Sequence, residues 1–329
     1  EACYADKFAD IAFYNGSKFA FKVLRDLQKQ DAGALRCHFI AHGIGRGAYN
    51  RNNSDMNNLL AVSDTACGYG AQMGIIESYA QSLPEGKLAK EKVPLLCGRE
   101  PKGTCNHGVG HMLLLETKAN LSKAIELCSS LKKGPQNSMC LGGIFMERLV
   151  PINLIEHGVA PKSWENWTSR VPQDKQLCMA FNGKYSVACW DKLPYVSYHY
   201  FKKDPNAMIE LCNSAPSYEA AKACKLRSMS IFAVLGSNLS GLKHLCAIEN
   251  QTSPDFEKEC YSNLAYAKLT YSGNDNFADF CSSLRQELVL PCFRKIGESV
   301  KKGFIDENSI AEICAGAPKE FKEVCIGKQ

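Results

Sequence analysis

Apolar residues recur along most of this chain at the three- and four-residue spacing that places them on one face of an α-helix. The segments Tyr218–Leu235 and Asp255–Tyr271 show the pattern clearly, and Gly236 and Gly273 follow them as predicted helix ends. The spacing predicts an all-α fold.

A shorter amphipathic stretch precedes the longer ones and opens on a polar residue suited to capping a helix. These short helices, each ending at a cysteine, are predicted at Asn120–Cys128, Asp204–Cys212, Ser240–Cys246, Asn274–Cys281 and Asn308–Cys314. A proline follows where the next helix begins, a position at which its missing N–H is not needed; these prolines are Pro135, Pro216, Pro254 and Pro318. The repeating element is therefore predicted to be an αα-hairpin.

The cysteines repeat in step with these hairpins. Six pairs have ten to thirteen residues between their members and recur about every 34 residues: Cys128 and Cys140, Cys178 and Cys189, Cys212 and Cys224, Cys246 and Cys260, Cys281 and Cys292, and Cys314 and Cys325. A closer pair, Cys97 and Cys105, extends the series upstream. Zinc-type thiolate sites favour separations of two to four residues, so the spacing favours disulfides across the turns over metal thiolates.

A fixed period of this size is typical of a solenoid in which each repeat is one supersecondary unit. We predict about nine disulfide-stapled hairpins of about 34 residues. The period and the hairpin form resemble tetratricopeptide and Sel1-type helical repeats over most of the chain. The resemblance is one of architecture, because the consensus aromatic, glycine and alanine positions of those repeats are not matched.

One step in the series is longer than the rest. Cys128 and Cys178 are 50 residues apart, and the segment between them contains prolines 151, 161 and 172 and two tryptophans. Residues 1–150 are therefore predicted to form N-terminal repeats that carry glycine and histidine, and residues 178–329 to form C-terminal stapled repeats. Residues 151–177 are predicted to be an irregular insertion between them.

Three cysteines fall outside the hairpin rule. Cys37 and Cys67 occupy matching positions in neighbouring repeats, so they are the preferred bridge, whereas Cys3 has no matching partner. Because the chain has 17 cysteines, one of the three is expected to stay unpaired or to bond to another chain.

The cysteine content also predicts the compartment. So many paired cysteines indicate an oxidising space, so the protein is expected to be secreted, lumenal or at the cell surface, with Glu1 the start of a processed chain. Asn-x-Ser/Thr glycosylation motifs support this at Asn15, Asn52, Asn120, Asn166, Asn238 and Asn250. The longest apolar runs are too short to span a membrane. A net charge of +5, with basic and acidic residues interleaved, argues against a nucleic-acid partner.

Four segments in the first 150 residues share a glycine at repeat spacing: Gly43, Gly74, Gly108 and Gly143. Glycine destabilises a helix interior by about 1 kcal/mol relative to alanine, so four matching glycines need a structural reason. Close packing of neighbouring helices is the predicted reason, since the missing side chain lets two backbones approach.

Histidines and glutamates flank these glycines. Only seven histidines occur in the chain, yet four form two pairs, His38 with His42 and His107 with His111, whose four-residue spacing puts both imidazoles on one helix face. With Glu77 and Glu147 they are predicted to converge into one polar cluster that could ligate zinc, iron, manganese or copper. The alternative is that they are buried hydrogen-bonding partners of carboxylates and backbone carbonyls, with Arg46 paired to a nearby carboxylate.

These features predict an extracytoplasmic binding or scaffold protein with a metal site in its N-terminal half. Its partner is expected to be another protein or an extracellular ligand, because solenoids expose long grooves. The alternative is a metal-dependent hydrolase or oxidoreductase in which Glu77 or Glu147 is a ligand or general base and Arg46 holds an anionic group. Neither histidine pair has the His-Glu-x-x-His form, and common nucleotide, serine-hydrolase and haem motifs are missing.

Overall fold

A computed structural model of the chain is helical and contains no strand among the residues it describes. It describes residues 2–28, 30–31, 37–52, 59–60, 67, 70–82, 93–97, 105–131, 134–151, 154–155, 159–235, 246, 254–272, 277–301, 310–311 and 313–328. The chain divides into two compact units, Glu1–Trp167 and Thr168–Gln329, and the division falls inside the segment predicted to be irregular.

The N-terminal unit is built from helices that pack in chain order. They are α1 (Ala2–Asn15), α2 (Ser17–Gln28), α3 (His38–Asn52), α4 (Gly70–Ser82), α5 (Cys105–Glu116), α6 (Leu121–Cys128) and α7 (Pro135–Leu149), with a short 3₁₀ helix at Val93–Leu95. Helix α3 packs between α1 and α4, α4 also contacts α5, and α5 packs against α7. Side chains of α1, α2 and α3 form one apolar core there, which includes Phe8, Phe21 and Ile40.

The C-terminal unit repeats a short helix followed by a long one. Its helices are α8 (Val171–Met179), α9 (Gly183–Tyr200), α10 (Pro205–Asn213), α11 (Tyr218–Leu235), α12 (Pro254–Ser272), α13 (Phe277–Ser282), α14 (Gln286–Lys301) and α15 (Lys319–Cys325). Each of the long helices α9, α11, α12 and α14 contacts the next one along the chain. A 3₁₀ helix at Lys162–Arg170, kinked at Asn166, leads into α8.

The predicted helix starts are confirmed at several described positions, but not at Pro216, because α11 begins two residues later at Tyr218. Asn120 and Asp204 cap α6 and α10, each accepting a backbone N–H with its side chain, and Pro135 is the first residue of α7. The stretch predicted at Asn274–Cys281 is helical over Phe277–Ser282. Apart from Cys246 and parts of the last stretch, the segments predicted at Ser240–Cys246 and Asn308–Cys314 lie outside the described residues, as do Gly236 and Gly273.

Eight disulfides link the described helices, and they confirm the predicted pairs. The six regular bridges join Cys128 to Cys140, Cys178 to Cys189, Cys212 to Cys224, Cys246 to Cys260, Cys281 to Cys292, and Cys314 to Cys325. The closer pair predicted upstream is also bonded, Cys97 to Cys105. Cα–Cα distances over all eight bridges range from 5.3 to 6.0 Å, within the range usual for disulfides.

The eighth bridge involves two of the three irregular cysteines. Cys37 is bonded to Cys67, the preferred choice, which leaves Cys3 as the odd residue. The side chain of Cys3 lies outside the described residues.

Candidate functional site

Glycines hold the helices of the N-terminal unit at backbone contact. A Cβ added at Gly43 would lie 2.0 Å from the carbonyl oxygen of Ala5, and one added at Gly74 would lie 2.0 Å from that of His42. Gly143 meets the carbonyl of His107 at the same distance. The packing explanation of these glycines is confirmed. Gly108 differs, because its nearest neighbours are the side chains of Ile76 and Met73, at 3.1 and 3.2 Å.

The first histidine pair lies in the seam between α3 and α4. His38 Nδ1 is 2.9 Å from the carbonyl oxygen of Cys67, and His42 Nδ1 is 3.1 Å from Oε2 of Glu77. The Nε2 atoms of the two histidines face each other at 3.2 Å. Cys67 has a φ of 58°, which is unusual for a residue with a side chain, and its disulfide to Cys37 anchors it beside α3.

The second pair repeats this arrangement between α5 and α7. His107 Nδ1 is 3.3 Å from the carbonyl oxygen of Met139, His111 Nδ1 is 2.7 Å from Oε2 of Glu147, and the two Nε2 atoms are 3.2 Å apart. Oε1 of Glu147 also accepts the backbone N–H of Leu154 at 3.1 Å. The two hydrogen-bonded chains have the same order of groups: carbonyl, histidine, histidine, glutamate.

Both chains are largely withdrawn from solvent. His42, Glu77, His111 and Glu147 are 1 to 7% exposed. Burial, reinforced by the neighbouring His42, lowers the pKa of His38 to about 3, although the Cys67 carbonyl opposes the shift. The charge of His111 contributes to the same lowering, and that of Glu77 opposes it. His38 is therefore a neutral imidazole at neutral pH, which is the form that binds metals.

The partners of the Nδ1 atoms determine where the imidazole protons are. A backbone carbonyl can only accept, so His38 must donate from Nδ1, and His42 donates in the same way to an ionised Glu77. If both rings are neutral, the two Nε2 atoms then point lone pairs at each other across 3.2 Å. Such a contact is repulsive unless one added proton or one cation lies in the pair.

The same reasoning applies to His107 and His111, because Met139 supplies a carbonyl and Glu147 a carboxylate. The hydrogen-bonding alternative therefore accounts for the contacts of the Nδ1 atom in each of the four rings. It does not by itself account for the two facing Nε2 atoms of each pair, which need an added proton or a cation between them. Arg46 behaves as that alternative expected, since its guanidinium donates to Asp6 at 3.0 Å.

Two features differ from the sequence prediction. Hydrogen-bond contacts are described within each pair, and within the described residues no three His, Cys, Asp or Glu side chains make up a complete ligand set. The carboxylate oxygens that contact the histidines do so at Nδ1, which lies across the ring from Nε2. Sequence reasoning also missed the carbonyls of Cys67 and Met139, because backbone groups leave no residue-type signal.

The C-terminal unit has an ion cluster that the sequence analysis missed. Arg227 on α11 donates from Nε and Nη2 to the carboxylate of Asp191 on α9, at 3.1 and 3.3 Å, and Lys192 reaches the same carboxylate at 2.7 Å. Burial alone would raise the pKa of Asp191, but Arg227 and Lys192 overcome it and lower the pKa to about 2. The nearby Tyr198 serves packing, since it is 2% exposed and its ring contacts that of Phe232.

A polar groove of about 340 Å³ crosses the surface of α11, α12 and α14. Its lining is mixed in charge: Lys222, Asp255, Lys258, Glu259, Ser262, Asn263, Pro291, Arg294, Lys295 and Glu298. Lys222 is bonded to Glu259 at 2.8 Å, and this hydrogen bond raises the pKa of the lysine. The groove suits a polar ligand or partner more than an apolar one.

No helix among the described residues is both long and apolar enough to cross a membrane. We found no protein-family profile, curated protein or solved structure that matches this chain significantly. The interpretation of the site therefore depends on its geometry.

Proposed function

We propose that this protein is an extracytoplasmic solenoid of about nine stapled αα-hairpins that binds a transition metal in its N-terminal unit and a partner through the rest of its surface. The bonded cysteines support the compartment, because disulfides persist in oxidising spaces. The order in which the helices pack supports the repeat array.

One observation carries the metal proposal: two Nε2 atoms face each other at 3.2 Å while both Nδ1 atoms are already engaged. Two imidazole ligands of a tetrahedral ion, with metal–nitrogen bonds of about 2.0 to 2.1 Å, lie about 3.3 Å apart. The 3.2 Å distance between the two Nε2 atoms of the pair is close to this value. Bound there, the ion replaces the repulsion between lone pairs with two bonds.

The groups behind the histidines suit the same role. Metal-ligating histidines commonly donate their other N–H to a carboxylate or a backbone carbonyl, which fixes the tautomer and the direction of the ring. Glu77 and the Cys67 carbonyl occupy these positions in the first pair. We therefore assign the glutamates to positioning the ligands rather than to direct ligation.

Imidazole nitrogen suits zinc, copper and iron, and manganese fits less well because it prefers oxygen. A pair of histidines fills only part of the coordination sphere, so water or a group from a partner completes it. These open positions also favour the second candidate function, a metal-dependent enzyme. Arg46, which that enzyme would use to hold an anionic substrate, is paired with Asp6.

Metal analysis tests the proposal. The full chain, made without a histidine tag in an oxidising secretory host and purified without chelators, should contain bound transition metal. The His107→Ala variant should lose metal and melt at a lower temperature, because ligands that bind only the native state stabilise it. The exposed His199 provides the control, and His199→Ala should change neither quantity. A wild-type protein that contains no metal and is not stabilised by added Zn²⁺ or Cu²⁺ would contradict the proposal.

Glycosylation tests the compartment. Asn15, Asn52, Asn120 and Asn166 are exposed members of the predicted glycosylation motifs. In a eukaryotic secretory host, peptide N-glycosidase should lower the apparent mass of the protein. An Asn-to-Gln change at each of these four positions should reduce that shift. Recovery of the protein with free thiols throughout would contradict the proposed compartment.

A further inference from the structure

The two histidine pairs are copies of one module. Each begins with a histidine that contacts a backbone carbonyl, continues with a second histidine one helical turn later, and ends at a glutamate on another helix. In both modules that other helix contributes a glycine that meets a histidine carbonyl, Gly74 in the first and Gly143 in the second. The spacing between the Nε2 atoms is 3.2 Å in each.

We propose that the N-terminal unit binds two transition-metal ions, one at each histidine pair, an inference that rests on the proposed metal-binding function. Each histidine pair has two facing Nε2 atoms. Each also has its own carbonyl and its own carboxylate, which contact the Nδ1 atoms and orient the rings. One ion at one pair leaves the facing Nε2 atoms of the other pair to be bridged by a proton or by a second ion.

A single ion shared by all four histidines fits the geometry less well. Such a centre needs at least three of the four Nε2 atoms around one point, and no such group exists among the described His, Cys, Asp and Glu side chains. The helices would have to move to bring a third Nε2 atom close, and the tight backbone contacts at the glycines oppose such a movement. His42 is in backbone contact with Gly74, and His107 with Gly143.

The donor set also defines the class of ion. Each module offers two imidazole nitrogen atoms as ligands and keeps its carboxylate on the Nδ1 side of the ring. Calcium and magnesium require mainly oxygen ligands, so they are not expected to bind. Divalent ions with a preference for imidazole, such as Zn²⁺ and Cu²⁺, match the site.

Zn²⁺ titration of the metal-free, oxidised full-length protein tests the stoichiometry, with calorimetry and elemental analysis as readouts. The wild type should bind two ions, and the double variants His38→Ala/His42→Ala and His107→Ala/His111→Ala should each bind one. The variant that lacks all four histidines should bind none. The variants with Gln in place of Ala preserve much of the side-chain volume, and should give the same stoichiometries if an Ala variant fails to fold.

The outcomes separate the two proposals. One ion in the wild type and none in either double variant means a single shared site, which overturns this inference and leaves the metal-binding function standing. Two ions in the wild type and two in either double variant place an ion elsewhere and also overturn it. No binding by the folded wild type overturns both proposals.

Discussion

At the scale of single residues, the N-terminal unit contains buried polar groups that are held by specific hydrogen bonds. Glu147 shows this most clearly, because one of its carboxylate oxygens accepts from His111 and the other from the backbone N–H of Leu154. The residue is 1% exposed. A buried group that loses its partner keeps the full cost of its desolvation.

Glu147→Ala should therefore lower the free energy of unfolding by about 2 to 4 kcal/mol, since it leaves two donors without an acceptor. Glu147→Gln should have a smaller effect, because its amide oxygen can still accept one of the two bonds. Urea denaturation at neutral pH measures both. Glu210→Ala, on the exposed face of α10, is the control and should stay within about 0.5 kcal/mol of the wild type.

Asp191 predicts a dependence on pH. Its pKa is lowered from 3.8 to about 2 in the folded state, so its contribution to stability is fully present above pH 4 and is lost as the pH falls from about 4 to 2. Asp191→Asn should remove about 2 kcal/mol at neutral pH and flatten this part of the stability profile. Chemical denaturation at several pH values checks this. Equal slopes in the wild type and the variant between pH 4 and 2 would contradict the assignment.

The sequence predicted that the paired histidines and the two glutamates lie close together in the N-terminal unit, but not which of their atoms meet. When the four segments are aligned on their glycines, the histidines and glutamates fall on equivalent helix faces. In the structure, His42 contacts Glu77 and His111 contacts Glu147. The tautomers follow only from the carbonyls of Cys67 and Met139. Those carbonyls have no counterpart in a pattern of residue types, so the facing Nε2 atoms could not be foreseen.

At the scale of helices, the glycines that contact a neighbouring backbone determine how closely two helices approach. Gly74→Ala should destabilise the protein by more than about 3 kcal/mol, because the added methyl group would overlap the backbone carbonyl of His42 and separate α3 from α4. Bound metal should be lost as well. Thermal unfolding and metal analysis of the variant measure the two effects.

Gly108→Ala is the matched comparison for that variant. Its added methyl group would meet the side chains of Ile76 and Met73, which can move, so the loss of stability should be clearly smaller. A loss as large as that of Gly74→Ala would show that the difference between backbone and side-chain contact does not control the packing.

A disulfide within one hairpin should stabilise the protein by about as much as the Gly74 contact does. Cys178 and Cys189 are 11 residues apart, and replacement of both by alanine should lower the free energy of unfolding by about 3 kcal/mol through the entropy of the unfolded chain. Guanidinium denaturation of the variant tests this. An unchanged midpoint would mean that the bridge is not needed once the helices have packed.

The prediction of helices from the pattern was accurate where caps and prolines mark the ends. Helix α11 spans the predicted Tyr218–Leu235, and α12 extends the predicted Asp255–Tyr271 by one residue at each end. Two prolines do not mark the end of a helix. Pro194 and Pro291 lie inside α9 and α14, where tertiary packing outweighs the local penalty of an interrupted helix.

At the scale of the whole molecule, the described helices contact mainly the helix next to them or two along the chain. If the chain is a repeat array, deletion of residues 212–245, one full period, should leave a folded protein, since the junction joins equivalent positions of two repeats. Circular dichroism and cooperative thermal unfolding measure this. Deletion of residues 212–228, half a period that ends inside α11, is the control and should disrupt folding, because its junction joins positions that are not equivalent in the two repeats. Loss of cooperative unfolding in the first deletion would contradict the array.

The disulfides have a consequence for the order in which the protein is made. From Cys37 onward, the cysteines are bonded in consecutive pairs along the sequence, and no bridge encloses another. A chain that enters an oxidising compartment from its N-terminus thus meets each correct partner as the next thiol to arrive. Cys3 is the exception, because it precedes Cys37 in the sequence and competes with Cys67 for it. If Cys3 bonded to Cys37, Cys67 would be left to pair with the next cysteine, and each later pairing would shift by one. An error at Cys37 would therefore affect every later disulfide.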